Sequence, residues 1–134
     1  MTKKKIHVGI VAAQFHKEIA DTMIAEAVAG MEEGGGIVGE LVRVPGCFEI
    51  PPAAKKLLSK KSINAIVVLG YIEKGETLHG EVMGHVVHHA LMQLQLEYDK
   101  PIGFGIIGPG ATEAQARKRM KSAARNATRV LFEI

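Results

Sequence analysis

Along this chain, short apolar runs take turns with longer stretches in which apolar residues recur every three or four positions. Residues 6–13 form the first run and predict a strand, which the chain leaves through Gln14, Phe15 and His16. Over 17–33 the apolar residues are Ile19, Met23, Ile24, Ala27, Val28 and Met31, the spacing of one helix face. Gly34, Gly35 and Gly36 then stop that helix, because glycine enters the left-handed cap conformation cheaply. Residues 37–44 alternate as a second strand and Pro45-Gly46 turns the chain. Pro51-Pro52 stand where the first turn of a short helix, running to about residue 58, tolerates them. Residues 64–69 are almost continuously apolar, as in a strand covered on both faces. A third helix is predicted over 78–98, a fourth strand over 102–107 and a last helix over 112–132.

This βαβαβαβα order predicts a parallel sheet with helices on both faces, in one domain spanning residues 1–134. Four strands leave two edges to protect, so self-association is expected. Ligands of open α/β sheets bind beyond the carboxyl ends of the strands. The expected exits are 14–16, 45–49, 70–79 and 108–111, and the chemically unusual residues gather there.

Composition changes this picture little. Apolar residues make up 47% and charged residues 23%, an ordinary soluble mixture. A formal charge of +3 is too small to point to a nucleic-acid partner, and Lys3-Lys4-Lys5, Lys55-Lys56 and Lys60-Lys61 read as solvated faces. With Cys47 the only cysteine, no internal disulfide can form and a reducing compartment is expected. No run approaches the roughly 18 apolar residues of a membrane span, and basic residues lead straight into the first strand, so a cytoplasmic protein is expected.

Residues 70–77 read G-Y-I-E-K-G-E-T, one residue away from a phosphate-binding loop. Glu76 replaces the lysine that reaches the terminal phosphates, which argues against nucleotide hydrolysis. Gly75 lets a ligand approach, and the amides of Glu76 and Thr77 before a helix suit a phosphate; Thr77 can equally be a plain helix cap. Residues 103–108 match G-x-G-x-x-G, but these glycines fall inside a strand and not in the turn after it, so the dinucleotide reading is rejected. His85, His88 and His89 have the spacing of helical metal ligands. However, Val82, Val86, Ala90 and Leu94 mark a core stripe, leaving the histidines on a mixed face with Glu81, Met92 and Gln95; no metal is expected. His79, in the first turn beside the proposed anion site, is either a proton shuttle or an exposed histidine with no task. Cys47 has no basic neighbour in sequence and reads as a small buried residue rather than a nucleophile. Phe15 and Phe48 are core aromatics or a stacking surface for a planar ring, with Glu49 as a polar handle. Arg119 lies roughly 12 Å along the last helix, from which a phosphate in a neighbouring subunit is easier to reach than one in its own crevice.

Taken together, Val44-Pro45-Gly46-Cys47-Phe48-Glu49-Ile50-Pro51, Gly75-Glu76-Thr77-Leu78-His79 and the stretch from Gly105 through Ala114-Gln115-Ala116-Arg117-Lys118-Arg119 resemble the 6,7-dimethyl-8-ribityllumazine synthases, the archaeal branch most of all. The likeness covers essentially the whole chain in order. It implies a flavodoxin-like three-layer αβα sandwich with a four-stranded parallel sheet, assembled as pentamers and sometimes as capsids of pentamers. It further implies condensation of 5-amino-6-(D-ribitylamino)uracil with 3,4-dihydroxy-2-butanone 4-phosphate, releasing phosphate and water, without cofactor or metal. By matching position, the resemblance implies that Phe15 stacks on the pyrimidine while backbone groups of Tyr71, Ile72 and Glu73 read its polar edge. Cys47, Phe48 and Glu49 would line the ribityl side, Glu76 and Thr77 would hold the phosphate with Arg119 of a neighbour, Phe104 of that neighbour would close the site, and His79 would move protons.

The chain departs from the family pattern at three places. His16 stands where Asn is usual, Gly80 where many members carry an aromatic, and 120–126 replaces a lysine- and glycine-rich stretch. The rival readings are the archaeal-type riboflavin synthase and a non-catalytic flavin-binding or shell-forming protein.

Overall fold

The computed structural model describes residues 5–134, so the expectation for Lys3 and Lys4 lies outside the described residues. Strands β1 (His7–Ala13), β2 (Ile37–Val44), β3 (Ala65–Glu73) and β4 (Ile102–Ala111) form one parallel sheet in the order β2-β1-β3-β4. Helices α1 (Lys17–Glu33) and α4 (Glu113–Leu131) cover one face of it. Helices α2 (Ile50–Leu58) and α3 (His79–Tyr98) cover the other. The architecture is the α/β, flavodoxin-like three-layer sandwich with a four-stranded parallel sheet.

Strand periodicity sorts the side chains between the layers. Val8, Ile10 and Ala12 of β1, with Val67, Leu69 and Tyr71 of β3, pack under α1 and α4. Val11 and Ala13, with Ile66, Val68 and Ile72, pack under α2 and α3. At about 25 cal/mol per Å² of apolar surface removed from water, these two layers supply the main favourable contribution to folding. The cap between α1 and β2 is as the three glycines suggest, with Gly35 taking φ +85°. Helix α4 starts from a reciprocal cap: Thr112 N–H donates to Gln115 Oε1 at 2.9 Å and Gln115 N–H to Thr112 Oγ1 at 3.2 Å.

Three expectations need correction. Strand β3 runs on through Gly70, Tyr71, Ile72 and Glu73, and β4 through Gly108 to Ala111, because the two keep pairing as far as Glu73 and Ala111. Gly70 is there for space and not for a turn, since a β-carbon on it would stand 2.8 Å from Cys47 Sγ. The buried face of α3 is not the expected stripe of Val82, Val86, Ala90 and Leu94, of which Leu94 packs against the core. Gly84, Val87 and Leu91 are buried, while Val82 and Val86 are 55% and 51% exposed. Helix α3 turns that way because Gly84 sits against the Pro109 ring, a contact that a β-carbon would close to 2.6 Å. No helix of the described residues is long and apolar enough to cross a membrane.

Candidate active site

Neighbouring strands β1 and β3 send their connections to opposite faces of the sheet, which opens a crevice at their carboxyl ends. A cavity of about 350 Å³ lies there, lined by Phe15 after β1, Pro45, Gly46 and Cys47 after β2, Tyr71, Ile72 and Glu73 of β3, and Gly75, Thr77, His79, Gly80 and Met83 beyond it. Its volume suits a small organic molecule. Most of its wall is apolar, and the polar groups concentrate on the Glu73–His79 side.

Two loops give the cavity its shape. Gln14 N–H donates to the Val44 carbonyl at 2.8 Å, so the exits of β1 and β2 stay side by side. Gly46 N–H donates to Glu49 Oε1 at 2.9 Å, folding the Cys47–Glu49 turn back onto the loop. Glu49 therefore spends its carboxylate on holding this loop and does not line the cavity. Lys74 N–H donates to the Ala111 carbonyl at 2.8 Å, which aims the segment from Gly75 to Leu78 across the mouth.

Helix α3 begins at His79, so the amides of Glu76 and Thr77 lie in the turn before the helix and not in its first turn. Thr77 Oγ1 accepts from His79 N–H at 3.3 Å, as a cap would, and keeps its own hydrogen free to donate. His79 is exposed at the rim, with its ring 6.0 Å from that of Phe48 in an edge-on arrangement. Phe15 and Phe48 are 48% and 40% exposed; the core reading is thereby excluded and both rings remain available to a ligand.

Seven of the expected residues, Phe15, Cys47, Tyr71, Ile72, Glu73, Thr77 and His79, meet in this cavity, with Phe48 beside His79. Glu76 is exposed outside it. Phe104 sits in mid-strand opposite Val68, stacked on His88 at 6.0 Å, and Arg119 is exposed on α4 with its guanidinium donating to the Gln115 carbonyl at 3.4 Å. Neither lines the cavity of its own chain. His88 Nδ1 is 2.7 Å from the Gly84 carbonyl, while His85 and His89 are exposed.

Burial pushes the Cys47 thiol up to about 11, a Tyr71 backbone hydrogen bond offsets part of the rise, and the Glu49 charge adds to it. The folded value exceeds the ordinary 9.0, so this group's stabilising contribution is complete below about 9 and disappears as pH rises through about 11. The native protein is expected to react with a thiol-specific reagent at mildly alkaline pH at least about 10²-fold more slowly than the urea-unfolded chain, read as absorbance against time. Burial likewise pushes the Tyr71 phenol up to about 12, with the neighbouring Glu73 charge adding to the shift.

Sequence reasoning did not bring the side chains of His16, Glu73 and Glu113 together. His16, Glu73 and Glu113 offer ligand atoms within 4.8 Å of one another, the one such group among the described residues that could hold a metal ion. The ring nitrogens of His16 already face different carboxylates: Nε2 is 3.1 Å from Glu73 Oε2, and Nδ1 is 3.5 Å from Glu113 Oε1. These residues lie 57 and 40 positions apart in consecutive steps, so no local pattern announces them.

Comparison with known proteins gives the chemistry a family. Residues 5–133 match the model of the 6,7-dimethyl-8-ribityllumazine synthases. The chain is 42% identical over 121 residues to a 6,7-dimethyl-8-ribityllumazine synthase of Metallosphaera sedula, covering 90% of this chain and 80% of that one. It is 37% identical over 134 residues to that of Saccharolobus solfataricus, covering 100% and 87%. It is also 37% identical over 127 residues to that of Staphylothermus marinus, covering 95% and 85%.

Proposed function

The chain belongs to the 6,7-dimethyl-8-ribityllumazine synthase family, transferases of riboflavin biosynthesis, and from that premise we propose how its own residues carry the condensation. The observation that carries the reading is the meeting of His79 and Thr77 with an exposed aromatic ring, Phe15, around one cavity at the β1–β3 crevice.

The pyrimidine of 5-amino-6-(D-ribitylamino)uracil lies against Phe15, with backbone groups of Tyr71, Ile72 and Glu73 at its polar edge. Strand β3 has passed its last pairing with β1 at Leu69, so that side of its end is free to meet a ligand. The ribityl chain runs toward Cys47 and Phe48, Cys47 contributing main-chain groups because its thiol is buried. Glu49 contributes by fixing the Gly46 loop. The phosphate of 3,4-dihydroxy-2-butanone 4-phosphate is held by the Glu76 and Thr77 amides and the Thr77 hydroxyl. Amides ahead of a helix provide an anion with hydrogen bonds and a favourable dipole.

Chemistry asks little more of the protein than placement and proton transfer. The attacking amine is already a nucleophile, so no covalent residue is needed. Alignment of two bound reactants supplies up to roughly 7–11 kcal/mol of barrier reduction. A proton leaves the nitrogen as it bonds to carbon, and water and phosphate leave as the new ring closes. His79, at the rim beside both substrates, takes up and returns those protons.

Arg119 and Phe104 lie away from their own cavity, and this supports their serving a neighbour's. Exposed Leu78, just ahead of α3, and Val82 and Val86 on it, spaced one turn apart, give a stripe for that neighbour to cover. The proposed enzyme is a cytoplasmic ring of five identical subunits, each a single unit over residues 1–134, with the active sites between them.

The deciding experiment mixes both substrates with the purified protein and follows lumazine fluorescence and phosphate release together. Equal rates of the two signals support the reading, and absence of phosphate release overturns it in favour of a binding or shell role. For the shared site, Arg119→Ala is expected to raise the KM of the ketone phosphate about tenfold. Co-expressing Arg119→Ala with His79→Ala returns the wild-type KM for the ketone phosphate, at full turnover, at about a quarter of the sites, because random mixing in a ring pairs intact partners that often. If no such sites return, Arg119 does not serve a neighbour's cavity.

A further inference from the structure

His16 follows Phe15 directly and is one of two non-glycine residues among the described residues with a left-handed backbone, φ 57°. That conformation is unfavourable for a residue with a β-carbon, so it persists only where surrounding contacts hold it. His16 makes no side-chain cap to α1, although it occupies the capping position. Its ring is instead inserted between Glu73 of β3, 3.1 Å from Nε2, and Glu113 at the start of α4, 3.5 Å from Nδ1. The Nε2–Glu73 contact is a hydrogen bond, while Glu113 stands at ion-pair distance from Nδ1.

These contacts are themselves anchored. Arg117 bridges Glu113 at 3.2 Å and Glu18 of α1 at 3.2 Å. The Tyr71 hydroxyl donates to the Ala111 carbonyl at 2.9 Å and lies 3.4 Å from Glu73 Oε2. Three elements around the crevice thus converge on one imidazole. Its plane stands at 87° to the Phe15 ring with centroids 4.8 Å apart, and it lies 5.4 Å from Tyr71. Phe15 lines the cavity and His16 does not. The two ring nitrogens face separate carboxylates, which favours a clamp over convergence on a shared cation.

We propose that His16 is a positioning residue: clamped between Glu73 and Glu113, it packs edge-on against Phe15 and holds that ring with one face open to the pyrimidine. A half-exposed phenylalanine otherwise samples several rotamers, and a ligand that needs one of them loses affinity in selecting it. Edge-to-face contact is a preferred aromatic geometry and leaves the opposite face free. Ordering one side chain in advance corresponds to about a threefold to tenfold gain in affinity. The inference deepens the proposed function and rests on the cavity being the seat of the pyrimidine.

The test is calorimetric titration of the full assembled protein with 5-amino-6-(D-ribitylamino)uracil alone, which has no partner to react with. Phe15→Ala is expected to weaken binding about tenfold, and His16→Ala about fivefold. In the double variant, His16→Ala adds no further loss, because it acts through the ring that is gone. Glu113→Gln produces a smaller loss in the same direction, also abolished by Phe15→Ala, and decides the matter should His16→Ala fail to fold. In steady state, His16→Ala raises the KM of the pyrimidine and leaves kcat and the KM of the ketone phosphate unchanged. Unchanged affinity in both His16→Ala and Glu113→Gln overturns the clamp, as does an equal loss with and without Phe15. If Phe15→Ala itself binds normally, the platform reading fails and takes the clamp with it.

Discussion

Replacing His79 by alanine is expected to lower kcat by about 10²-fold, with each KM changed by less than about twofold. A single acid–base group is worth about 10² to 10⁴-fold, and the lower end applies because the reacting amine needs no activation and solvent reaches the exposed rim to relay protons in its place. The KM values are expected to hold because the proposed binding groups, Phe15, the β3 backbone and the Thr77 turn, do not depend on the imidazole. The backbone N–H that Thr77 Oγ1 accepts from survives the substitution, so the turn survives with it. Steady-state kinetics on both substrates measure this. Full turnover in His79→Ala removes the imidazole from proton transfer and leaves the cavity a device for alignment alone.

The largest expected loss of stability comes from the opposite end of the fold. A β-carbon on Gly103 would stand 2.0 Å from the Ala127 carbonyl oxygen and 2.8 Å from its carbon. Both are backbone atoms of α4, so no rotamer change relieves the contact and the helix must move off the sheet. Overpacking ordinarily costs about 1–3 kcal/mol, and a clash with helix backbone belongs at the upper end. Gly103→Ala is therefore expected to lower stability by about 3 kcal/mol, a fall in Tm on the order of 10 °C. Gly39→Ala on edge strand β2 is the internal control. Its nearest contact is 3.4 Å to Ile63 Cδ1, and its effect should stay within about 0.5 kcal/mol. Matching unfolding curves for the two variants would show that α4 yields easily and that Gly103 is not a packing constraint.

Gly103 also shows how a sequence pattern is read. The run Gly103-Phe104-Gly105-Ile106-Ile107-Gly108 spells a nucleotide fingerprint, yet the glycines lie within β4, where Gly103 and Gly105 let α4 approach. Periodicity placed α1 and β2 at their observed bounds because glycines and prolines punctuate them. It ended β3 and β4 four residues early because Gly70 and Gly108 look like turn residues, whereas pairing between the two strands continues through them. The buried face of α3 was misread because valines were given to the core. A glycine, Gly84, marks the true contact, and an absent side chain leaves no apolar signal. That Phe15, Cys47, Thr77 and His79 share one end of the sheet was legible because each lies in or at the end of a segment leaving a strand's carboxyl end, and the fold brings them to one cavity. The ring of contacts around His16 was not, since spacings of 57 and 40 residues carry no period.

Adjacent residues Tyr71 and Ile72 both line the cavity, yet each belongs to the buried cluster on a different side of the sheet. The two helical layers are insulated from one another along most of β3 and meet through this dipeptide where the strand ends. A small slip of either layer, however distant its origin, would tilt one of these neighbours against the other and be felt at once by whatever molecule rests on both. The seam between the halves thus forms part of the cavity wall, which ties the packing of both layers to the shape of the proposed substrate site.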